Sequence, residues 1–333
     1  MKKKIQKISV IGDGGWGTTL SIHLVKKGYP VTLWGAFQEN IKKINRFHTN
    51  DKFLQGIQIP KSILATDDLA LAITQANLVI LAVPSQYIRS VLKRIKKFDI
   101  KNKIFLSVTK GIETTTLLRM SEIIKKELGD VPLAVLSGPN IASEVARGIP
   151  STSVIASKNT KVAKTLQHIL NSDTLRVYTN TDIVGIELGG SLKNIIALAC
   201  GVCDGLGFGT NTKSAIVTRG LVEMARLGKA LGAKHKTFSG LAGLGDLATT
   251  CFSLKSRNRY VGEQLGKGKS IEEITSSMNM VAEGVPTVKA VLKLSQKYKV
   301  SMPISREVFN IIYKRKKPLK AVSDLMARKT KAE

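Results

Sequence analysis

Six short apolar runs in the first half of the chain constrain its fold more than any other feature. They are Ile8–Ile11, Val31–Trp34, Leu78–Val83, Ile104–Val108, Leu133–Leu136 and Ser153–Ala156. Most are near-continuous rather than alternating, as expected of strands covered on both faces. Between them lie amphipathic stretches such as Thr18–Lys27 and Leu117–Leu128. This alternation predicts βαβ units wound into a mostly parallel α/β sheet of the Rossmann type, covered on both sides. Ligands of such sheets bind beyond the carboxyl ends of the strands, so the residues just after each run are the first functional candidates.

From about Asp182 the pattern turns helical. Ile183–Val202 reads as one largely apolar helix, and Pro286, Pro303 and Pro318 each stand where proline suits a first helical turn. The reading is a doubly wound nucleotide-binding domain over 1–181 and an all-helical C-terminal domain over 182–333. With 333 residues, 43% hydrophobic and 23% charged, the chain has ample material for two cores, which excludes disorder as its main state. No apolar run approaches the roughly 18 residues of a membrane span. The lysines at positions 2–4 resemble a secretory n-region, but Gly12, Asp13 and Gly14 interrupt the apolar stretch too soon for an export signal. Three cysteines exclude a disulfide framework, and a cytoplasmic location is expected.

Lysine and arginine number 52 against 24 acidic residues, a net charge of +28. Such a balance favours nucleic acid, anionic lipid or phosphorylated small molecules as partners. Aromatic residues make up only 5%, too few for a platform on which single strands stack. The excess is spread along the chain and densest at the ends, as in Lys314, Arg315, Lys316 and Lys317. It reads as a lysine-rich solvated surface, with a phosphorylated small molecule as partner and no nucleic acid. Weak peripheral attraction to anionic membranes and a homodimer are both compatible with it.

After the first run comes Gly12-Asp13-Gly14-Gly15-Trp16-Gly17, leading into a helix that starts near Trp16. Glycines here permit a tight turn, close approach of a pyrophosphate and tight helix–strand packing, while the helix amides favour an anion. A strand before and a helix after make a dinucleotide site a better reading than a structural turn. The second run ends Leu33-Trp34-Gly35-Ala36-Phe37-Gln38, with no acid before Glu39 to hold ribose hydroxyls. NADP is therefore permitted, within reach of Lys42, Lys43 or Arg46, though no arginine at 35 or 36 demands it. Use of both NAD and NADP is expected.

Further motifs follow in order: Leu81-Ala82-Val83-Pro84-Ser85, Ser107-Val108-Thr109-Lys110-Gly111-Ile112-Glu113, Ser137-Gly138-Pro139-Asn140 and Glu187-Leu188-Gly189-Gly190-Ser191-Leu192-Lys193-Asn194. Gly243-Leu244-Gly245-Asp246-Leu247 and Ser256-Arg257-Asn258-Arg259 complete the series. From about residue 5 to residue 320 the chain resembles the bacterial NAD(P)-dependent sn-glycerol-3-phosphate dehydrogenase family. That resemblance implies interconversion of glycerol 3-phosphate and dihydroxyacetone phosphate, supplying the glycerol backbone of phospholipids. Asp13 departs from the pattern, where alanine is commoner, as does Gly35-Ala36-Phe37, where a basic or polar residue is usual. The resemblance also implies that Lys110 meets both cofactor and substrate, and that Arg257, Val281 and Glu283 meet the cofactor. Gly138, Asn140 and Ala142 should line the same cleft.

The residue chemistry can be read independently. Lys193 sits among Leu188, Leu192, Ile195, Ile196 and Leu198 on a helix apolar enough to be buried, and a buried lysine needs a reason. Gly189, Gly190 and Ala197 lie one turn away and leave space for a ligand to reach the ammonium. With its pKa lowered by burial and a neighbouring cation such as Lys110, Lys193 could act as general base on an alcohol and general acid on a ketone. Asp246, in a loop with Gly240, Gly243 and Gly245, suits orienting Lys193, accepting from a substrate hydroxyl, or capping the next helix. Ser256, Arg257 and Asn258 offer hydroxyl, guanidinium and amide donors in succession, and the arginine fork suits a phosphate. Trp16 reads as packing at the cofactor mouth, and Cys200 and Cys203 as core residues rather than a metal or redox pair. A hydroxyacid dehydrogenase acting on a carboxylate is the nearest rival, because arginine binds carboxylates as well. A non-catalytic basic cofactor-sensing protein is the second.

Overall fold

The computed structural model describes residues 7–278 and 280–330. The basic stretch at positions 2–4 lies outside the described residues. In chain order the strands are β1 (Ile8–Ile11), β2 (Val31–Trp34), β3 (Thr49–Asn50), β4 (Leu54–Gln58), β5 (Leu64–Thr66) and β6 (Leu78–Leu81). After them come β7 (Ile104–Ser107), β8 (Leu133–Ser137), β9 (Ser151–Ala156) and β10 (Leu175–Asn180). Eight form one sheet in the order β10-β9-β8-β7-β6-β1-β2-β5, while β3 and β4 pair as a separate hairpin. Every neighbouring pair in the large sheet is parallel except β8 and β9.

β1 is fully buried, with Ile8 opposite Val31 of β2 on one side and Leu78 of β6 on the other. Its side chains alternate between two cores. Ile8 and Val10 join Leu33, Leu78 and Ile80 on one face, and Ile11 joins Trp34, Val79, Leu81 and Phe105 on the other. Each such burial contributes about 1.5–3 kcal/mol, which is why a strand with no polar alternation is stable only at the sheet centre. The chain leaves β1 for β2 on one side and later returns to β6 on the opposite side. A crevice opens where the direction reverses, at the carboxyl ends of β1 and β6.

Several boundaries differ from the sequence reading. The run Leu78–Val83 pairs only to Leu81, and Ile104–Val108 only to Ser107, while the last expected strand begins earlier, at Ser151. The helix expected over Leu117–Leu128 starts at Met120. Leu117 has φ +63°, and two carboxylates fix the true start. Glu122 accepts from the Arg119 amide at 2.9 Å and Glu187 from the Ser121 amide at 2.7 Å, both at the positive end of the helix. The first helix spans Gly15–Lys26.

Beyond β10 the described residues are helical. The core helix Ile183–Gly205 is capped by Asp182, which accepts from the Gly185 amide at 2.9 Å. It alone among the described helices is long and apolar enough to cross a membrane, and 94% of its apolar window is buried inside the protein. A soluble core helix meets the same length test, and this one is wrapped by its neighbours. Helix Arg257–Gly266 packs on it backbone to backbone: a Cβ on Gly201 would collide with the Arg259 carbonyl, and one on Gly262 with the Leu198 carbonyl. Pro303 and Pro318 open helices Pro303–Lys314 and Pro318–Met326, and Pro286 lies in the first turn of Gly284–Lys297.

Candidate active site

The glycine-rich turn sits at the head of the crevice, and its glycines have separate duties. Gly12 has φ +122°, and a Cβ there would lie 2.7 Å from the Ala82 carbonyl. Gly17 packs against the Gly12 carbonyl too closely for any side chain, and a Cβ on Gly15 would stand 2.6 Å from the Phe53 carbonyl oxygen. Gly14 is the exception, with nothing within 4 Å of its Cβ position. No side chain caps the helix Gly15–Lys26, so its first amides face that open side. Trp16 packs half-buried on the adjoining core. Ala142 opens a short helix, its Cβ 3.8 Å from the Gly15 Cβ position and its carbonyl accepting from Thr19 Oγ1 at 3.1 Å. An open glycine before uncapped amides fits a pyrophosphate.

Asp13, within the same turn, is buried. Its Oδ2 accepts from Asn40 Nδ2 at 2.7 Å, and burial raises its pKa, with Asn40 and Lys52 opposing.

The second cluster joins the two halves of the chain around one carboxylate. Asp246, 1% exposed, accepts from Lys193 Nζ at Oδ1 (2.5 Å) and from Lys110 Nζ at Oδ2 (2.7 Å). Lys110 follows β7 and also donates to the Gly138 carbonyl at 3.1 Å. Lys193 is 6% exposed and donates to Thr250 Oγ1 at 2.5 Å, and Ser137 Oγ lies 3.3 Å from Asp246 Oδ2. Burial pushes the Lys193 ammonium down to about 8, Asp246 opposing and Lys110 adding to the shift. Two ammoniums around one carboxylate leave an excess positive charge where a negative oxygen would be stabilised. The Asp246 side chain caps no helix, although Asp246 is the first residue of helix Asp246–Phe252.

The space expected around Lys193 is not left empty for a ligand. A Cβ on Gly189 would collide with the Ala242 carbonyl, and one on Gly190 would lie 2.6 Å from Ser137 Oγ and 3.3 Å from Lys110 Cγ. The glycines let the Lys110 side chain and the Leu241–Gly245 turn press against the core helix. That contact brings the two lysines onto the same aspartate. The sequence reading missed Thr250 and gave Ser137 no role. Thr250 stands one helical turn beyond Asp246, the only signal that could have pointed to it.

The donor triplet is less available than its composition suggests. Ser256 Oγ accepts from the Arg259 amide at 3.2 Å as a helix cap. Asn258 is buried, donating to Asn194 Oδ1 at 3.0 Å and accepting from the Gly284 amide at 2.9 Å. Arg257 remains exposed, donating to the Val281 carbonyl at 2.8 Å. Desolvation by the protein around it nevertheless lowers its pKa, with Glu283 opposing. Glu283 reaches across to the end of β6, accepting from the Ser85 amide at 2.9 Å and from Ser85 Oγ at 2.5 Å. Asn140 is tied to β9 through the Thr152 carbonyl (2.8 Å) and Ser153 Oγ (2.9 Å), while Gly138 holds φ +142° beside Lys110. Lys110, Lys193, Asp246 and Gly138 thus form one cluster. Arg257, Val281 and Glu283 form a neighbouring rim, and Ser256 and Asn258 brace it.

A glycine-rich turn with an uncapped helix start at the switch point of a doubly wound sheet, joined to a helical region that supplies a buried lysine, is the arrangement of a nicotinamide-dependent dehydrogenase. Residues 7–163 match the model for the N-terminus of NAD-dependent glycerol-3-phosphate dehydrogenase, and residues 182–323 match the C-terminus model. The chain belongs to that family. It is 48% identical over 327 residues to the glycerol-3-phosphate dehydrogenase [NAD(P)+] of Thermoanaerobacter sp., covering 98% of each chain. The enzyme of the same name from Chlorobium phaeobacteroides is 46% identical, with 98% of this chain and 99% of that one covered. The crystal structure of glycerol-3-phosphate dehydrogenase from Coxiella burnetii superposes with a TM-score of 0.93 at 36% identity, covering 97% of this chain and 99% of that one.

Proposed function

We propose that the protein interconverts sn-glycerol 3-phosphate and dihydroxyacetone phosphate with NAD(P), in the cytoplasm, supplying the glycerol backbone of phospholipids. The observation that carries this reading is the Lys193–Asp246–Lys110 cluster at the carboxyl ends of the strands. A nicotinamide bound in the crevice would supply or accept the hydride. Lys193 handles the proton: its ammonium donates to the ketone oxygen during reduction, and the neutral amine accepts from the alcohol during oxidation. Asp246 fixes the direction of that ammonium and, by holding Lys110 as well, keeps a second cation beside the oxygen on which charge develops. Gly12, Gly14, Gly15 and Gly17 with Trp16 and Ala142 would hold the dinucleotide, and Val281 and Glu283 would close its rim. Arg257 is the anchor for the substrate phosphate, matching its oxygens with a planar fork, and also stands beside the cofactor. Ser256, Asn258, Gly138 and Asn140 shape the pocket around it.

The test is oxidation of NADH and NADPH by the purified protein with dihydroxyacetone phosphate, beside a panel of 2-ketoacids. Turnover confined to the phosphorylated ketone is expected. Faster turnover of a ketoacid would replace this reading with a hydroxyacid dehydrogenase, and no turnover with tight, salt-sensitive DNA binding would replace it with a basic binding protein.

A further inference from the structure

Asp13 is a buried carboxylate in the glycine-rich turn that the proton chemistry does not use. Its side chain lies against the backbone of the first residue after β2. A Cβ on Gly35 would fall 2.5 Å from Asp13 Cγ and 2.6 Å from Oδ2, so a side chain at 35 would displace the carboxylate from this position. Asn40, buried on the helix Gln38–Phe47, donates to Oδ2 at 2.7 Å and holds the group in place. In a sheet of this winding the carboxyl end of β2 receives the adenosine ribose, where an acid accepting from the 2′-hydroxyl selects the unphosphorylated dinucleotide. Gly35, Ala36 and Phe37 carry no such acid, and Asp13 brings one to that strand end from the adjoining turn.

The surrounding charges give little compensation to a 2′-phosphate. Lys42, Lys43 and Arg46 are exposed, on the face of their helix away from buried Asn40, Ile41 and Ile44, and the Arg46 guanidinium lies over the Phe47 ring at 5.0 Å. Glu39 adds a second acid in the first turn of that helix. The Arg94 guanidinium lies over the ring of Trp34, the last residue of β2, at 5.3 Å, while the cation acting on Asp13 is Lys52, 5.4 Å from the Phe37 ring centroid and 5.1 Å from that of Phe53. Lys52 is a single flexible point charge rather than an arginine fork.

We propose that Asp13, held by Asn40 against Gly35, sets cofactor choice by accepting from the 2′-hydroxyl of the adenosine ribose and repelling a 2′-phosphate, so that NADH is preferred to NADPH. This rests on the dinucleotide site proposed above and not on the identity of the substrate.

The experiment measures dissociation constants for NADH and NADPH by tryptophan fluorescence without substrate, and kcat/KM for both with dihydroxyacetone phosphate. The full chain is compared with Asp13→Asn, which keeps the shape, and with Asp13→Ala. The expected wild-type preference for NADH is at least tenfold in both measurements, falling at least tenfold in either folded variant. Equal or tighter wild-type use of NADPH overturns the proposal, even if neither variant folds. So does a preference that the substitutions leave unchanged. A protein that selects NADH in binding but does not reduce dihydroxyacetone phosphate would defeat the substrate reading and leave this one standing.

Discussion

Replacing Lys193 with methionine removes the proposed proton donor while keeping a side chain of similar length. The structure gives the size of the effect. Asp246 would not be stranded, because Lys110 stays at 2.7 Å from its other oxygen and Ser137 Oγ at 3.3 Å. The folding cost should therefore fall below the 3–5 kcal/mol of a fully orphaned buried charge, at about 1–2 kcal/mol. Turnover should fall about 10²–10⁴-fold, the worth of a positioned general acid, or about 3–5 kcal/mol of barrier. Cofactor affinity should hold within a few fold, since Lys193 is no part of the glycine-rich turn. In the wild type the ammonium is pushed down to about 8 by burial. The acid form therefore exists below that pH and disappears above it. Reductive kcat/KM should fall tenfold per pH unit above about 8, while oxidative kcat/KM rises up to about 8 and then levels. Stopped-flow or steady-state profiles in both directions check this. A methionine variant within tenfold of wild-type turnover, or a reductive profile flat through pH 9.5, ~1.5 units above that pKa, would refute the assignment.

Asp246→Asn takes away the charge that opposes the Lys193 shift and leaves two ammoniums facing each other. The Lys193 pKa should then drop by at least about one unit, moving the reductive limb to lower pH and lowering the reductive rate by about twofold or more at pH 7 and about fivefold or more at pH 8; pH profiles of the variant report it. Gly190→Ala puts a methyl 2.6 Å from Ser137 Oγ and 3.3 Å from Lys110 Cγ. It should displace Lys110 and cut kcat by about 10–100-fold with cofactor binding intact, which single-turnover kinetics with fluorescence titration would separate. Gly14→Ala and Gly17→Ala should diverge. The first meets no protein atom and should weaken cofactor binding by about tenfold or more at unchanged thermal stability. The second collides with the Gly12 carbonyl and should destabilise the domain by about 1–3 kcal/mol, read by thermal or urea unfolding.

The parts legible in the sequence are those whose signal is local. β1, the glycine turn and the helix after it are written in consecutive residues, and Lys193 announces itself by standing in an apolar helix that no free lysine would choose. β10 carries a pattern of its own: buried Leu175 and Val177 alternate with exposed Arg176 and Tyr178, as in a half-covered edge strand. β3, β4 and β5 have two to five residues, too few for a period to show, so pairing alone defines them. The donor triplet shows the other limit. Ser256, Arg257 and Asn258 look like three free ligand groups, but tertiary contacts engage the hydroxyl and the amide, and no spacing rule shows which donors folding has already used. Partnerships such as Lys193 with Thr250 cross 57 positions and have no period to betray them.

The same long-range contacts explain why the chemistry requires both halves of the chain. Lys110 comes from the end of a sheet strand and Lys193 from the core helix, and neither half alone can place two cations on Asp246. The core helix is fixed against the sheet domain six residues before Lys193. There Glu187 is buried and accepts from the Ser121 amide and hydroxyl, both at 2.7 Å, and pairs with Arg119. Burial raises the Glu187 pKa and Arg119 opposes that, so the group is held by a partner in the other half. A buried ion pair of this kind adds little net stability but tolerates few alternative geometries. At a junction where the proposed proton transfer depends on distances of 2.5–2.7 Å, a contact that fixes position is worth more than one that only adds stability.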